Sequence, residues 1–175
     1  MFWWKSRTNT QNWIVYHPKK TTSVPGRPGI YLNSSLAGFT TGGNWITELS
    51  STRIAITDGQ VSSGSNRDNV VYSFKSVEGF SKIGSYTGNG NANGTFVYTG
   101  FKPAFVIGKR IDAANYWYVI DNTRDTFNQV ENILDASATT TETTYSSEKY
   151  DFLSNGFKFR ASGVGANASG GTYIY

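Results

Sequence analysis

The apolar residues of this 175-residue chain come in short runs, which clusters of Gly, Asn and Pro interrupt. The longest apolar run, Tyr116–Ile120, has about five residues. Gly, Ser, Thr and Asn make up about 42% of the residues while Leu occurs only five times, a composition that favours short strands joined by turns over helices. Turn residues recurring about every 8–12 positions are typical of β-sandwiches and barrels. The pattern therefore predicts an all-β fold, with an antiparallel β-sandwich of the jelly-roll or lectin-like kind as its architecture.

The residue types agree with this prediction, because Tyr, Phe, Trp, Val and Thr favour strands. Met, which favours helices, occurs only once. In 156–160 the rings of Phe157 and Phe159 alternate with charged residues, so they should share one buried face. The strands predicted in this way are Phe2–Lys5, Asn12–Tyr16, Ile30–Asn33, Arg53–Thr57, Val70–Lys75, Phe80–Thr87, Thr95–Tyr98, Ala104–Arg110, Tyr116–Ile120, Gly156–Ala161 and Thr172–Tyr175. One short helix is predicted at Gln129–Ala136, and the polar tract Thr139–Ser147 is predicted to have almost no regular structure.

The chain resembles itself when it is shifted by 104 residues. This shift aligns Lys5 with Lys109, Trp13 with Trp117 and Val15 with Val119. Further matches at shifts of 102 and 103 join Tyr31–Ser34 to Ile133–Ala136 and Arg53–Ile56 to Gly156–Phe159. Order and spacing agree, which indicates two related repeats. We predict a first repeat at residues 1–78 and a second at 79–175, forming either one compact unit or two closely packed β units.

The two predicted repeats are unequal at their ends. The second begins with the segment Gly79–Ala104, which the first lacks, and it stops about three residues short of the point equivalent to Phe74. We therefore expect the first repeat to be incomplete at its start and the second to be truncated at its end. This predicts that the chain is a fragment of a longer protein.

The residues that catalysis and metal binding require are scarce in this sequence. The chain has no cysteine, which excludes a thiol nucleophile and a cysteine-ligated zinc site. It has a single histidine, His17. His17 precedes a proline and is predicted to be an exposed loop residue, and most of the 12 acids lie in predicted turns. We therefore expect no enzyme activity, no metal and no cofactor.

The charge pattern also limits the partners. The net charge of +4 comes from scattered basic residues rather than a concentrated patch, so nucleic acid is not an expected partner. No apolar stretch approaches the roughly 18 residues of a membrane helix, so membrane insertion is not expected either.

Aromatic side chains are the remaining candidates for a binding site, because their rings stack on sugar faces. Trp13 and Trp117 recur in the repeat and are predicted to be core residues. The candidate carbohydrate-binding residues are those whose rings the repeat does not assign to the core: Trp45, Trp4, Tyr116 and Tyr118.

Four segments carry a resemblance to a known family: Gly79–Gly90, Phe96–Val106, Asp151–Lys158 and Asn167–Tyr175. They resemble a repeated, lectin-like (concanavalin-type) domain of unknown function, found in tail, fibre and other virion proteins of marine bacteriophages. The resemblance is close over 74–175 and looser over 1–74. It implies an antiparallel β-sandwich, recurrence of the Lys5/Lys109 and Trp13/Trp117 positions, and a further apolar strand beyond Tyr175. It supplies no catalytic residues.

The resemblance and the repeat lead to a functional hypothesis. We expect a non-enzymatic structural and adhesive module on a virion surface, in a tail fibre, a tail or a capsid-decorating protein. Its expected partners are other virion subunits, further copies of itself, with a trimer as one option, and host surface glycan. Two alternatives stay open: a tailspike-type glycoside hydrolase that degrades polysaccharide, and a glycan-binding module secreted by a bacterium.

Overall fold

The computed structural model describes residues 1–8, 10–20, 29–39, 46–56 and 68–175. Over these residues the chain is all-β, with antiparallel pairing throughout and no helix. The chain divides into two units, the first made of Met1–Asn33 and Gly38–Phe74 and the second of Ser34–Ala37 and Lys75–Tyr175. The predicted all-β class is therefore confirmed.

The first unit contains two small sheets. One has the strand order β3-β2-β1-β6, and the other pairs β4 with β5. The strands are β1 (Phe2–Ser6), β2 (Ile14–Tyr16), β3 (Ile30–Tyr31), β4 (Ile46–Leu49), β5 (Ile54–Ile56) and β6 (Asn69–Ser73). Phe2, Ile14 and Ile46 form a buried cluster to which both sheets contribute.

The second unit contains a six-stranded sheet, of order β12-β11-β10-β9-β15-β7, and a three-stranded sheet, of order β13-β14-β8. Its strands are β7 (Ser85–Thr87), β8 (Phe96–Tyr98), β9 (Phe105–Arg110), β10 (Trp117–Asp121), β11 (Asn132–Asp135), β12 (Thr143–Thr144), β13 (Tyr150–Leu153), β14 (Gly156–Phe159) and β15 (Thr172–Ile174).

Side chains from both sheets of the second unit meet in one core. Tyr86, Tyr118 and Tyr173 come from the six-stranded sheet, while Phe157 and Phe159 come from the three-stranded sheet. The rings of Tyr86 and Tyr173 stack with their centroids 4.8 Å apart. The alternation predicted for 156–160 is confirmed, because Phe157 and Phe159 are both buried.

The helix predicted after β10 is wrong. Gln129–Ala136 contains strand β11 rather than a helix, because Asn132 and Ile133 pair with β12 while Leu134 pairs with Val119 of β10. The polar tract Thr139–Ser147 has regular structure only in the two-residue strand β12, in agreement with the prediction. Tertiary pairing decides the structure of Gln129–Ala136, because its residues on their own allow either a short helix or a strand.

Candidate functional site

The outer face of the three-stranded sheet carries two exposed aromatic side chains on one strand, β8. Val97 of β8 is buried in the core, so Phe96 and Tyr98, its neighbours, lie on the opposite face. Phe96 is 42% exposed and Tyr98 is 62% exposed. We call the surface formed by Phe96, Tyr98, Gly156, Lys158 and Asp151 the aromatic face.

Strand register fixes the positions on the aromatic face. Gly156 of β14 lies opposite Tyr98, and Lys158 lies opposite Phe96. On the other side of β14, Asp151 of β13 lies opposite Lys158. Because neighbouring strands lie about 4.8 Å apart, an aromatic ring, an ammonium group and a carboxylate follow one another across the sheet.

A glycine gives the Phe96 ring its position. A Cβ placed on Gly156 would lie 2.9 Å from two atoms of the Phe96 ring and 2.2 Å from the Val97 carbonyl oxygen. Any side chain at this position would displace the ring or the strand. Gly156 therefore lets the Phe96 ring lie against the sheet as a flat surface.

Charged groups lie beside the rings. The guanidinium of Arg160 contacts the Asp151 carboxylate, with 3.0 Å between Nε and Oδ2. Lys158 is partly buried and lies between Phe96 and Asp151 in the register. The face thus combines apolar ring surface with an ammonium donor and a carboxylate acceptor, the combination that recognises the apolar face and the hydroxyls of a sugar.

The structure does not bring the sequence-predicted site residues together on a surface. Tyr118 is fully buried in the core of the second unit, where its hydroxyl lies 3.0 Å from the hydroxyl of Tyr86. Tyr116 is partly buried and stacks on Tyr145, with ring centroids 5.6 Å apart. Both rings stabilise the core, which leaves Tyr118 no surface for a ligand.

The two predicted tryptophans belong to the first unit. Trp4 is partly buried and packs against the Phe2–Ile14–Ile46 cluster. Trp45 lies outside the described residues. The structure thus places Trp4 at the edge of a core and gives no position for Trp45.

The sequence also predicted buried side chains for Trp117 and Trp13 and an exposed one for His17. Trp117 is buried, as predicted, but Trp13 is only partly buried and stacks on the exposed Tyr72. The prediction for His17 is wrong, because this residue is buried. Its Nδ1 atom accepts a hydrogen bond from the Lys19 amide at 3.1 Å, so the imidazole closes a turn.

Sequence reasoning missed Phe96 and Tyr98 as site residues. The available signal was the alternation Phe96-Val97-Tyr98, which places two rings on one face of a strand and a β-branched residue on the other. Which face is exposed depends on the neighbouring sheet, so the pattern alone does not separate two core aromatics from two surface aromatics.

One carboxyl group of the second unit is buried. Glu148 is 5% exposed, and its Oε1 atom accepts a hydrogen bond from the Gly165 amide at 2.9 Å. The Tyr150 hydroxyl lies 3.3 Å from Oε2. Burial raises the pKa of Glu148 to about 7, although the Gly165 amide and the Tyr116 and Tyr150 hydroxyls favour the ionised form.

Comparison with known proteins identifies the family of the chain. A family model described as a domain of unknown function, DUF7483, matches residues 1–175. The chain belongs to the DUF7483 family. Searches of curated proteins and of solved structures gave no match to this DUF7483 chain.

No cluster of three or more metal-ligating side chains is present among the described residues. Within the same residues, no helix has the length and apolar character needed to cross a membrane.

Proposed function

We propose that this chain is a non-enzymatic structural and adhesive module on the surface of a bacteriophage particle, in a tail fibre, a tail or a capsid-decorating protein. The resemblance of Gly79–Gly90 and Phe96–Val106 to a virion domain supports the location. The observation that carries the adhesive role is the aromatic face, on which exposed rings adjoin Lys158 and Asp151. Its proposed ligand is host surface glycan.

The structural half of the proposal is that two related β repeats build the chain, each with two sheets packed as a sandwich. The strand registers support the repeats. In the first unit Trp3 lies opposite Val15, and in the second Ile107 lies opposite Val119. Each residue of the second pair is 104 positions beyond its counterpart.

Two further pairs of strands keep the same offset. Val70 lies opposite Lys5, as Ile174 lies opposite Lys109. Ile30 lies opposite Val15, as Leu134 lies opposite Val119. The last correspondence aligns β3 with β11 at an offset of 104, two residues away from the alignment that the sequence suggested.

Hydrogen bonds outside the strands repeat as well. The Leu32 amide donates to the Trp13 carbonyl at 2.9 Å, and the Ala136 amide donates to the Trp117 carbonyl at 3.1 Å. His17 accepts a bond from the amide two residues later, and Asp121, at the equivalent position, does the same. These shared hydrogen bonds support the two-repeat interpretation.

Serial β repeats suit a fibre or particle surface, because each repeat buries its own core while its loops and outer faces remain available for contacts. The proposed partners are therefore other virion subunits and further copies of this chain, with a trimer as one arrangement. The proposed location is the outside of the particle.

A glycan array tests the adhesive role. The wild-type chain should bind a subset of bacterial surface glycans, and the double variant Phe96→Ala/Tyr98→Ala should lose that binding by about tenfold or more, since stacked rings contribute on the order of 1–3 kcal/mol in ligand recognition. The matched control is Phe80→Ala/Phe127→Ala, which removes two rings that are 80% and 84% exposed but lie outside the aromatic face.

Three outcomes would contradict the proposal. Binding that the control variant loses equally would place the site elsewhere, and silence on every array would remove the adhesive role. Release of shorter oligosaccharides from a bound glycan would instead favour the glycoside hydrolase alternative. Immunogold labelling of the particle tests the location, because an antibody against the chain should decorate intact virions.

A further inference from the structure

The second unit contains a buried lysine that binds a carbonyl from a distant part of the sequence. Lys109 is fully buried, and its Nζ atom donates to the Ser35 carbonyl at 3.1 Å and to the Asn115 carbonyl. The Asn115 amide donates to the same Ser35 carbonyl at 2.8 Å. The Trp117 ring centroid lies 5.9 Å from Nζ. We call Lys109, Asn115 and Trp117 the filled pocket.

The filled pocket is closed by a particular segment. Ser34–Ala37 belongs to the second unit, although it follows β3 of the first unit in the chain. Its Ser35 carbonyl accepts hydrogen bonds from both the Lys109 ammonium group and the Asn115 amide. Burying an ammonium group is costly unless it has hydrogen-bond acceptors of this kind. The segment is therefore part of the structure that keeps Lys109 away from water.

The first unit has the same donors in an open groove. Lys5, Gln11 and Trp13 stand 104 positions before Lys109, Asn115 and Trp117. The Lys5 Nζ atom donates to the Gln11 carbonyl at 2.6 Å, as Lys109 does to Asn115. Here, however, both Lys5 and Trp13 are only partly buried.

The groove is large enough to admit a chain segment. Its volume is about 730 Å³, and its lining includes Lys5, Arg7, Thr10, Trp13 and Tyr72. The rings of Trp13 and Tyr72 stack along it with their centroids 6.2 Å apart. An extended backbone carrying a carbonyl would meet ring surface and cationic donors in this groove.

The segment equivalent to Ser34–Ala37 is available in the second unit. The offset of 104 maps it onto 138–141, and it maps Ser35 onto Thr139. The equivalence is anchored just before this segment, because Asn33 and Ser137 accept bonds through their side chains from the amides of Trp13 and Trp117. All four residues of 138–141 are exposed.

We propose that the groove at Lys5 and Trp13 binds residues 138–141 of a second copy of this chain, with the Thr139 carbonyl in the place that Ser35 takes at Lys109. The contact joins two different surfaces, so copies associate head to tail. This inference rests on the two-repeat interpretation and is independent of glycan binding.

The absence of cysteine allows a direct test on the full chain. Thr10 and Thr140 are exposed, so neither the Thr10→Cys variant nor the Thr140→Cys variant should have a disturbed fold. Mixed and oxidised, the two variants should form a disulfide-linked pair at least about tenfold faster than Thr10→Cys mixed with Ser169→Cys, because bound copies raise the effective concentration of the thiols. Ser169 is an exposed loop residue and serves as the matched control.

Sedimentation velocity provides the second measurement. The mean mass of the wild-type chain should rise with concentration and continue beyond a dimer, whereas Trp13→Ala should stay monomeric and Tyr98→Ala should behave as wild type. A cross-linking rate equal to that of the control pair overturns the proposal. A mean mass that stays monomeric overturns it too, as does a symmetric dimer that Thr10→Cys alone can cross-link. Glycan binding that Trp13→Ala abolishes would assign the groove to sugar and overturn it too.

The failure of the contact can be separated from the failure of the two-repeat interpretation. An experimental structure in which the pairs Trp3–Val15 and Ile107–Val119 persist would keep the repeats even if no cross-link forms. A structure without those registers would remove the basis of both.

Discussion

Replacing Glu148 with Gln tests whether this carboxyl group remains buried in the folded state. Burial raises its pKa from the ordinary 4.5 to about 7. Between these values the folded chain keeps a proton on Glu148 that the unfolded chain has lost. Unfolding therefore releases a proton, and the free energy of unfolding falls as the pH rises from 4.5 to 7. The protonated group stabilises the fold fully only below about pH 4.5.

The size of the effect follows from the displacement of the pKa. At 1.36 kcal/mol per pKa unit, the change from 4.5 to about 7 corresponds to about 3 kcal/mol. Glu148→Gln keeps the shape and an oxygen acceptor for the Gly165 amide but cannot ionise. The variant should match the wild type near pH 4.5 and become more stable than it by up to about 3 kcal/mol above pH 7.

Urea unfolding followed by circular dichroism at half-unit pH steps measures this difference. Glu78→Gln, at an exposed position, controls for the loss of one negative charge. Wild-type and Glu148→Gln stabilities that run parallel within about 0.5 kcal/mol from pH 4.5 to 8 would refute the reasoning, since the carboxyl would then be solvated in the folded state.

Three core predictions use the same unfolding assay. Gly108→Ala should cost about 1–3 kcal/mol, because the new Cβ would lie 2.1 Å from the Tyr118 hydroxyl; an unchanged midpoint would show that the ring moves freely. Lys109→Met should cost about 1–3 kcal/mol, because the Ser35 and Asn115 carbonyls lose their charged donor; a stabilised variant would contradict this account. Phe157→Ala should cost about 3–5 kcal/mol, whereas the exposed Phe96→Ala should cost less than about 1 kcal/mol, and equal losses would mean that the aromatic face belongs to a core.

The sequence by itself determined the fold class and most of the strands. Short apolar runs separated by Gly and Asn turns suit strands, and a chain rich in Gly, Ser, Thr and Asn is a poor helix former. The shift of 104 that aligns Lys5 with Lys109 was also readable from the residues, since both positions lie within strands of similar pattern.

The tertiary structure decided which aromatic rings are exposed. Alternation places Phe96 and Tyr98 on one face of β8, but only the packing of the two sheets of the second unit makes that face the outer one. The same packing buries Tyr118, which sequence reasoning had assigned to a binding site. A ring on a strand can serve a core or a surface equally well, so its own residue type does not distinguish them.

Long-range contacts decided the rest. Lys5 and Lys109 both lie in strands, yet only Lys109 is fully buried, and its ammonium group donates to the Ser35 carbonyl from 74 residues away. β11 is a strand because β10 and β12 pair with it, against a local pattern that also allows a helix. Burial and pairing depend on residues distant in the chain, and for this reason the sequence predicted the strands but not which of their side chains meet solvent.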